Sequence, residues 1–282
     1  MRHHLIEWGE AGAPKLFMLH GWMDIGASFQ FLVDALQRRW HVIAPDLRGF
    51  GRSQWQPQGY WFADYVADLE ALLDRYAPDE AVNLVGHSLG GNIVMLYGGT
   101  RPKRARRIVS LDAFGLPQES AEAAPRKFAK WLDALREPLA FAPYANLDAV
   151  AARLQRTNPR LPEDKARFLA EHWAERLPDG TARLLSDPRH KLPFPSVYRM
   201  EEVLAVWKRI SAPVQWIAAA DSHVLEWVRG HDESGVDAIS VVRERLSHVP
   251  DGRLAVIENA GHMLHHDQPE AVARVLEPFL AN

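Results

Sequence analysis

The sequence predicts an α/β fold, with a doubly wound and mostly parallel sheet that carries an inserted helical cap. In the first part of the chain, short apolar runs of strand length alternate with segments whose apolar residues have helical spacing. That alternation is typical of a parallel sheet covered by helices on both faces. Between residues 116 and 207 the strand-like runs are missing, and afterwards the alternation resumes. We therefore expect one domain that is interrupted by a helical insertion.

The predicted strands are continuous apolar runs, as expected for strands buried on both faces, and the segments between them are predicted helices. In the first part the strands are residues 15–19, 41–44, 81–85 and 107–111, and the helices are residues 29–38, 65–76 and 92–98. In the insertion we predict only helices, at residues 126–136, 147–155, 163–176 and 200–207. The last part contains predicted strands at residues 214–218 and 254–257 and a helix at residues 269–280.

The insertion also sets the predicted domain boundaries. Residues 1–115 and 208–282 form the predicted core domain, because strand and helix alternate in both segments. Residues 116–207 are interrupted by many prolines and form the predicted helical cap. The cap thus interrupts one domain and does not separate two.

Composition and charge restrict the classes of partner. Lys plus Arg is 33 and Asp plus Glu is 36, which gives a net charge of -3. Without a long basic run, nucleic acid is not expected as a partner. No apolar stretch approaches the roughly 18 residues that span a bilayer, and residues 1–7 lack the apolar segment of a secretion signal. We expect a cytoplasmic protein that acts on a small-molecule substrate, with no membrane partner.

The chain contains no cysteine, which excludes disulfides, thiolate metal sites and a cysteine nucleophile. The strongest signal of chemistry is the G-x-S-x-G pattern Gly86-His87-Ser88-Leu89-Gly90, between a predicted strand and a predicted helix. Such a turn presents the serine hydroxyl at the carboxyl end of the sheet. The alternative interpretation is a glycine-rich turn with an incidental serine, and the strand and helix context favours the nucleophile.

Three further motifs turn this signal into a family resemblance. His20-Gly21-Trp22 follows the first predicted strand, Asp46-Leu47-Arg48-Gly49-Phe50-Gly51-Arg52-Ser53 follows the second, and Asn259-Ala260-Gly261-His262 follows the last. With these motifs the chain closely resembles the α/β-hydrolase superfamily. It is most similar to the serine hydrolase-like group, because Met23-Asp24 and Ser28-Phe29 follow the first motif and Ser110-Leu111-Asp112 ends a strand.

The resemblance implies a role for each element of the site. Ser88 is the expected nucleophile and His262 the expected general base, since imidazole takes up protons near neutral pH. The backbone amides of Trp22 and Leu89 are the expected oxyanion hole. Neither a cofactor nor a metal is expected. The alternative is a metal cluster of His262 with His265 and His266, for which the spacing alone is weak evidence.

The acid of the expected triad has two candidates. Asp112 ends the predicted strand at residues 107–111, and Asp221 follows the predicted strand at residues 214–218. Superfamily members commonly carry the acid after the later strand, whereas some carry it one strand earlier. Asp221 lacks the preceding glycine of the common pattern and lies one residue short of the usual register. We therefore predict Asp112, with Asp221 as the alternative.

Two more aspartates have expected structural roles. Asp46 lies among closely spaced glycines, which suits a tight turn held by bonds from its side chain to the backbone. Asp24 is expected to cap the helix that begins near Ser28, with a contact to substrate as the alternative. His20 and His87 are expected to be hydrogen-bonded loop residues.

The predicted cap contains aromatic residues that suit an apolar or aromatic substrate. The alternative is that they pack the cap onto the core domain. The candidate pocket residues are Phe128, Trp131, Tyr144 and Trp173, and Phe141 and Phe168 add to the same aromatic character.

The expected function is hydrolysis of a carboxylic ester or a related acyl bond through an acyl-enzyme. Haloalkane dehalogenases and soluble epoxide hydrolases of the superfamily use an aspartate at the position of Ser88, so the serine disfavours both. Two alternatives stay open: a hydrolase of carbon–carbon bonds with the same triad, and a small-molecule receptor with slow turnover.

Overall fold

The computed structural model describes residues 1–229 and 236–281. In this part of the chain, seven strands form one sheet and two short strands form a hairpin. The strands are β1 (Leu5–Trp8), β2 (Lys15–Leu19), β3 (His41–Pro45), β4 (Val82–His87), β5 (Ala105–Leu111), β6 (Ala174–Arg176), β7 (Ala182–Leu184), β8 (Val214–Ala219) and β9 (Gly252–Ile257). The α-helices are α1 (Gln30–Ala35), α2 (Phe62–Tyr76), α3 (Leu89–Thr100), α4 (Ala124–Ala134), α5 (Leu147–Thr157), α6 (Glu163–Trp173), α7 (Met200–Trp207), α8 (His223–Arg229), α9 (Ala238–Leu246), α10 (Leu264–Asp267) and α11 (Pro269–Ala281).

The main sheet confirms the predicted α/β fold. Its strand order is β1-β3-β2-β4-β5-β8-β9, and every neighbouring pair except β1 and β3 is parallel. The antiparallel strand β1 was not predicted, because an edge strand that is only half buried lacks a continuous apolar signal. Helices α8 and α9, between β8 and β9, were also not assigned from the sequence.

The sheet is covered by helices on both faces, as a doubly wound topology requires. On one face the apolar residues of the strands pack against α2, α3, α7, α8 and α9 in one buried cluster. On the other face they pack against α1 and α11 in a second cluster. The inner strands β2, β3, β4 and β8 are therefore buried from both sides, which explains their continuous apolar runs.

The predicted helical cap contains four helices and one unexpected hairpin. The prediction of helices only was wrong at β6 and β7, which pair antiparallel. Each strand has three residues, and in β7 a buried residue alternates with an exposed one, so neither forms an apolar run. Helices α5 and α6 and the hairpin share a separate apolar cluster. Helix α7 differs, since its buried Met200 and Trp207 pack into the main core.

Among the described residues, no helix combines the length and the apolar character that crossing a membrane requires.

The packing of α3 against α7 gives a test of the core. A Cβ at Gly99 would overlap the backbone carbonyl of Val206 in α7, whereas a Cβ at Gly98 would overlap only the flexible end of the Ile108 side chain. We predict that Gly99→Ala lowers the free energy of unfolding by about 1–3 kcal/mol through overpacking. Gly98→Ala is the matched control and should leave the free energy of unfolding nearly unchanged. Alanine gains about 1 kcal/mol in helix propensity over glycine, which offsets the small displacement of the Ile108 side chain. Urea denaturation of both variants measures the difference, and equal stabilities would contradict the described approach of α7.

Candidate active site

The carboxyl ends of parallel strands meet at one edge of the sheet, and the candidate site lies there. Ser88 directly follows β4, Asp112 directly follows β5, and His262 lies in the loop after β9. The sequence separates the serine from the histidine by 174 positions, yet their reactive atoms lie within hydrogen-bond distance. The sheet order brings together residues that the chain keeps apart.

Ser88 lies in a tight turn between β4 and α3. Its backbone has φ 53° and ψ −114°, a left-handed φ that a non-glycine residue adopts only under constraint. The Ser88 amide donates to the carbonyl of Leu111 at 3.0 Å, and the Gly90 amide donates to the carbonyl of His20 at 3.1 Å. A Cβ at Gly90 would overlap the carbonyl of Leu19, so glycine is required where α3 approaches β2. These constraints point the Ser88 hydroxyl out of the turn.

The ring of His262 bridges the serine and the aspartate. Its Nε2 lies 3.0 Å from Ser88 Oγ, and its Nδ1 lies 2.7 Å from Asp112 Oδ2. The His262 side chain is 19% exposed and that of Asp112 is 0% exposed. With Nδ1 donating to the carboxylate, Nε2 is free to accept the serine proton. The arrangement can therefore generate a serine nucleophile.

The two candidate acids have different surroundings. Asp112 is buried with a left-handed φ of 48°, and its Oδ1 accepts from the Ala219 amide at 3.1 Å. Asp221 is half exposed and pairs with Arg160 at 2.8 Å. The structure thus brings Asp112 to His262 and directs Asp221 toward the cap.

The predicted oxyanion amides lie in the turns that flank the serine. The loop after β2 comes close to the serine turn, since a Cβ at Gly21 would lie 3.2 Å from Ser88 Cβ. In the described part of the chain, neither the Trp22 amide nor the Leu89 amide donates a hydrogen bond. The role of these two amides in an oxyanion hole stays a prediction. The Trp22 side chain is 56% exposed, so its indole is not packed beneath the cap.

His87 is the last residue of β4 and not a loop residue as expected, and it makes a contact that the sequence did not reveal. Its Nε2 donates to the backbone carbonyl of His262 at 2.8 Å, which ties the serine turn to the histidine loop. Burial lowers the pKa of His87 well below its ordinary value. A neutral His87 donates from Nε2 and stays uncharged beside His262, at a ring distance of 4.7 Å.

Behind this contact lies a buried polar network around Ser28. The Ser28 hydroxyl donates to Asp24 Oδ2 at 2.7 Å and lies 2.7 Å from His266 Nε2 and 3.2 Å from His265 Nε2. Asp24 therefore accepts from a side chain and does not cap a helix backbone as we expected. Burial lowers the pKa values of His265 and His266, so both imidazoles are neutral.

The alternative metal cluster does not assemble as the spacing suggested. Both ring nitrogens of His262 face Ser88 and Asp112, so His262 does not join His265 and His266. Among the described residues, the histidines and carboxylates that come together are Asp24, His87 and His265, whose candidate ligand atoms lie within 4.8 Å of one another.

The cap contacts both loops of the site. From α6, the Trp173 indole N–H donates to Asp24 Oδ1 at 3.2 Å, next to the loop after β2. From the segment after α5, the Asn158 amide group donates to Asp267 Oδ1 at 2.7 Å, and Asp267 Oδ2 accepts from the Gly261 amide at 2.8 Å. The cap is thus hydrogen-bonded to the segments that hold Trp22 and His262.

The four predicted pocket residues have different positions. Trp173 makes the contact with Asp24, and Tyr144 pairs with Ala182 and packs in the apolar cluster of the cap. Phe128 on α4 is 48% exposed, and Trp131 on the same helix lies 6.4 Å from Trp61, measured between ring centroids. Tyr144 and Trp173 thus pack against the apolar cluster of the cap, while α4 has no buried residue and Phe128 on it is exposed.

Ser222 and His223 are site residues that the sequence analysis missed. The Ser222 hydroxyl donates to Asp112 Oδ2, and the His223 ring lies 5.2 Å from the His262 ring. Both residues stand at the start of α8, directly after the alternative acid Asp221. A serine before a helix is a signal for a cap, but the sequence does not show that its hydroxyl reaches Asp112.

The strand order, the serine turn and the Ser88–His262–Asp112 contacts define an α/β hydrolase. The sequence matches the family described as alpha/beta hydrolase fold over residues 14–269, and the chain belongs to that family. It is 27% identical to the serine hydrolase-like protein of Danio rerio over 97% of this chain and 83% of the relative. It is 28% identical to the 2-(acetamidomethylene)succinate hydrolase of Mesorhizobium japonicum, with coverages of 96% and 89%. A solved structure of a hypothetical protein from Pseudomonas aeruginosa PAO1 has a TM-score of 0.84 at 25% identity, with coverages of 99% and 95%.

The buried histidines predict that the fold is sensitive to acid. Burial lowers the pKa values of His20, His87, His265 and His266, and lowers that of His190 to about 3. In the unfolded chain histidine binds a proton below about pH 6.5, so the unfolded state then holds more protons than the folded state. The free energy of unfolding should therefore fall as the pH decreases below about 6.5.

Urea denaturation between pH 7.5 and pH 5 measures this loss, and each histidine contributes a slope of at most about 1.4 kcal/mol per pH unit. His265→Gln should reduce the slope, because it removes one of the groups that stays neutral only in the folded state. A variant with the slope of the wild type would show that His265 is protonated equally in both states.

Proposed function

We propose that this chain is a serine hydrolase that cleaves a carboxylic ester or a related acyl bond of a small apolar or aromatic substrate. The single observation that supports the proposal is the continuous contact from Ser88 Oγ through His262 to the buried Asp112. Cleavage of a carboxylic ester would place it among the carboxylic ester hydrolases, EC 3.1.1. The expected cytoplasmic location stays a prediction.

The proposed mechanism begins with proton transfer from Ser88 to His262. As Nε2 accepts the proton, Ser88 Oγ attacks the substrate carbonyl, and the charge of the new imidazolium is balanced by Asp112. The free amides of Trp22 and Leu89 stabilise the oxyanion of the tetrahedral intermediate. His262 then gives the proton to the leaving group, and an acyl-enzyme forms on Ser88.

The second half of the proposed cycle releases the acyl group. Water enters in place of the leaving group, His262 removes its proton, and the resulting hydroxide attacks the acyl carbonyl. Collapse of the second tetrahedral intermediate breaks the bond to Ser88 Oγ and returns the proton to it. The cycle consumes one water and uses no cofactor.

Two alternatives use the same three residues. A hydrolase of carbon–carbon bonds retains the serine, and the relative named for 2-(acetamidomethylene)succinate supports hydrolysis beyond simple esters. A receptor on this scaffold would bind a small molecule and turn it over slowly. Nitrophenyl esters of graded acyl length test the receptor alternative: complete turnover supports a hydrolase, and one labelling event per chain without turnover supports the receptor.

We predict that Ser88→Ala abolishes acyl transfer while the protein stays folded. Loss of a triad member lowers kcat by several orders of magnitude and leaves a small rate from the oxyanion hole. A fluorophosphonate probe should label the wild type and fail to label the variant. Labelling of the Ser88→Ala variant would assign the nucleophile to another residue.

The acid is tested by two parallel substitutions. Asp112→Asn should lower kcat by orders of magnitude, about 10⁴-fold by analogy with other triads, because the amide favours the wrong imidazole tautomer. Asp221→Asn is the matched control, since it removes only a half-exposed pair with Arg160. Its kcat should stay near that of the wild type. The reverse order of effects would transfer the role of the acid to Asp221.

A further inference from the structure

Ser222 occupies a defined place between α8 and the candidate acid. It is 5% exposed and follows β8, one residue after the exposed Asp221. Its Oγ accepts a hydrogen bond from the Val224 amide at 3.1 Å in the first turn of α8. The same oxygen donates its proton to Asp112 Oδ2. The Val224 amide of α8 therefore fixes the position of the Ser222 oxygen, and the single proton of the Ser222 hydroxyl is directed at the Asp112 carboxylate.

The oxygen that accepts the Ser222 proton also serves the histidine. Asp112 Oδ2 lies 2.7 Å from His262 Nδ1, while Oδ1 accepts the Ala219 amide at 3.1 Å. One carboxylate oxygen thus receives two donors, and the other oxygen receives a third. Together the three donors fix both the position and the plane of the carboxylate.

We infer that Ser222 is a positioning residue of the catalytic triad, which acts through Asp112. This inference rests on the proposed function, since it assigns to Ser222 an influence on the basicity of the Ser88–His262 pair. A hydroxyl that donates to a carboxylate stabilises its charge and weakens its pull on a neighbouring imidazolium. Ser222 therefore reduces the stability of protonated His262 and keeps the base active at lower pH. The other titratable groups that face His262 are the rings of His87 and His223, at 4.7 Å and 5.2 Å, and substitutions at Ser222 leave both in place.

A role of Ser222 as the N-cap of α8 does not by itself require the hydrogen bond to Asp112. An N-cap residue needs only an acceptor for the amide protons of the helix, and the Val224 contact fulfils that role. The contact with Asp112 uses the proton of the hydroxyl, which capping leaves free. The two roles of Ser222 are chemically separable, and so are their effects on measurements.

The experiment compares Ser222→Ala and Ser222→Thr with the wild type, using a nitrophenyl ester over a range of pH. Ser222→Ala should lower kcat about tenfold, because Asp112 loses one of the three donors that fix its plane and then orients the His262 ring less well for proton transfer. The acidic limb of kcat/KM should also move to higher pH, by about 0.5–1 unit. Ser222→Thr keeps the hydroxyl and should restore both values. KM should change little, because Ser222 contacts the acid and not the substrate.

Asp237→Ala is the matched control for the loss of a helix cap. Asp237 caps α9 by accepting the Ser240 amide at 3.0 Å, and its substitution removes a cap without touching the triad. It should lower Tm and leave the pH profile unchanged. If Ser222→Ala likewise lowers Tm and leaves kcat and the pH profile unchanged, Ser222 acts only as a helix N-cap and the inference is overturned.

Failure of the inference is distinguishable from failure of the proposed function. An activity that disappears in Ser88→Ala but keeps its rate and pH profile in Ser222→Ala overturns the inference and leaves the proposed function intact. A wild type without turnover or probe labelling overturns the proposed function, and the inference fails with it.

Discussion

The site depends on the carboxyl group of Asp112, which is almost completely buried. An ionised carboxyl group without solvent is stable only where hydrogen-bond donors replace the water it has lost. Asp112 obtains its donors from the Ala219 amide at the end of β8, from Ser222 and from the His262 ring. The three donors come from two segments, the connection from β8 to α8 and the histidine loop, so the carboxylate is satisfied only when both are in place. The site therefore assembles only when this edge of the sheet is folded.

The same edge of the sheet carries the strained backbone. Among the described residues, the non-glycine positions with positive φ are Met23, Ser88, Asp112 and Asn259. They follow β2, β4, β5 and β9, the strands whose carboxyl ends surround His262. Each conformation costs of order 1–3 kcal/mol and persists only where the surroundings enforce it. The core of the sheet therefore supports strain at the edge where the hydroxyl, the carboxylate and the imidazole have to face one another.

Much of this arrangement could be predicted from the sequence, because its signals are local. The G-x-S-x-G pattern, the apolar runs and the rule that parallel strands end at one edge lead to Ser88 and to the doubly wound sheet. Strand β1, the hairpin β6–β7 and helices α8 and α9 lack comparably strong patterns. The partners of Ser222 and Trp173 lie 110 and 149 positions away in the chain. Such contacts are consequences of packing, and no short motif encodes them.

The cap contacts have a consequence for how a ligand enters. Trp173 holds the segment of Asp24, and Asn158 holds Asp267, which in turn holds the Gly261 amide next to His262. A displacement of the cap that breaks these bonds also releases the segments that carry Trp22 and His262. Entry of a ligand and organisation of the site then depend on the same conformational equilibrium of the cap. The state in which the site is most open to solvent is also the state in which its residues are least organised for chemistry. A bound ligand that favours the closed cap stabilises the organised site by the same free energy.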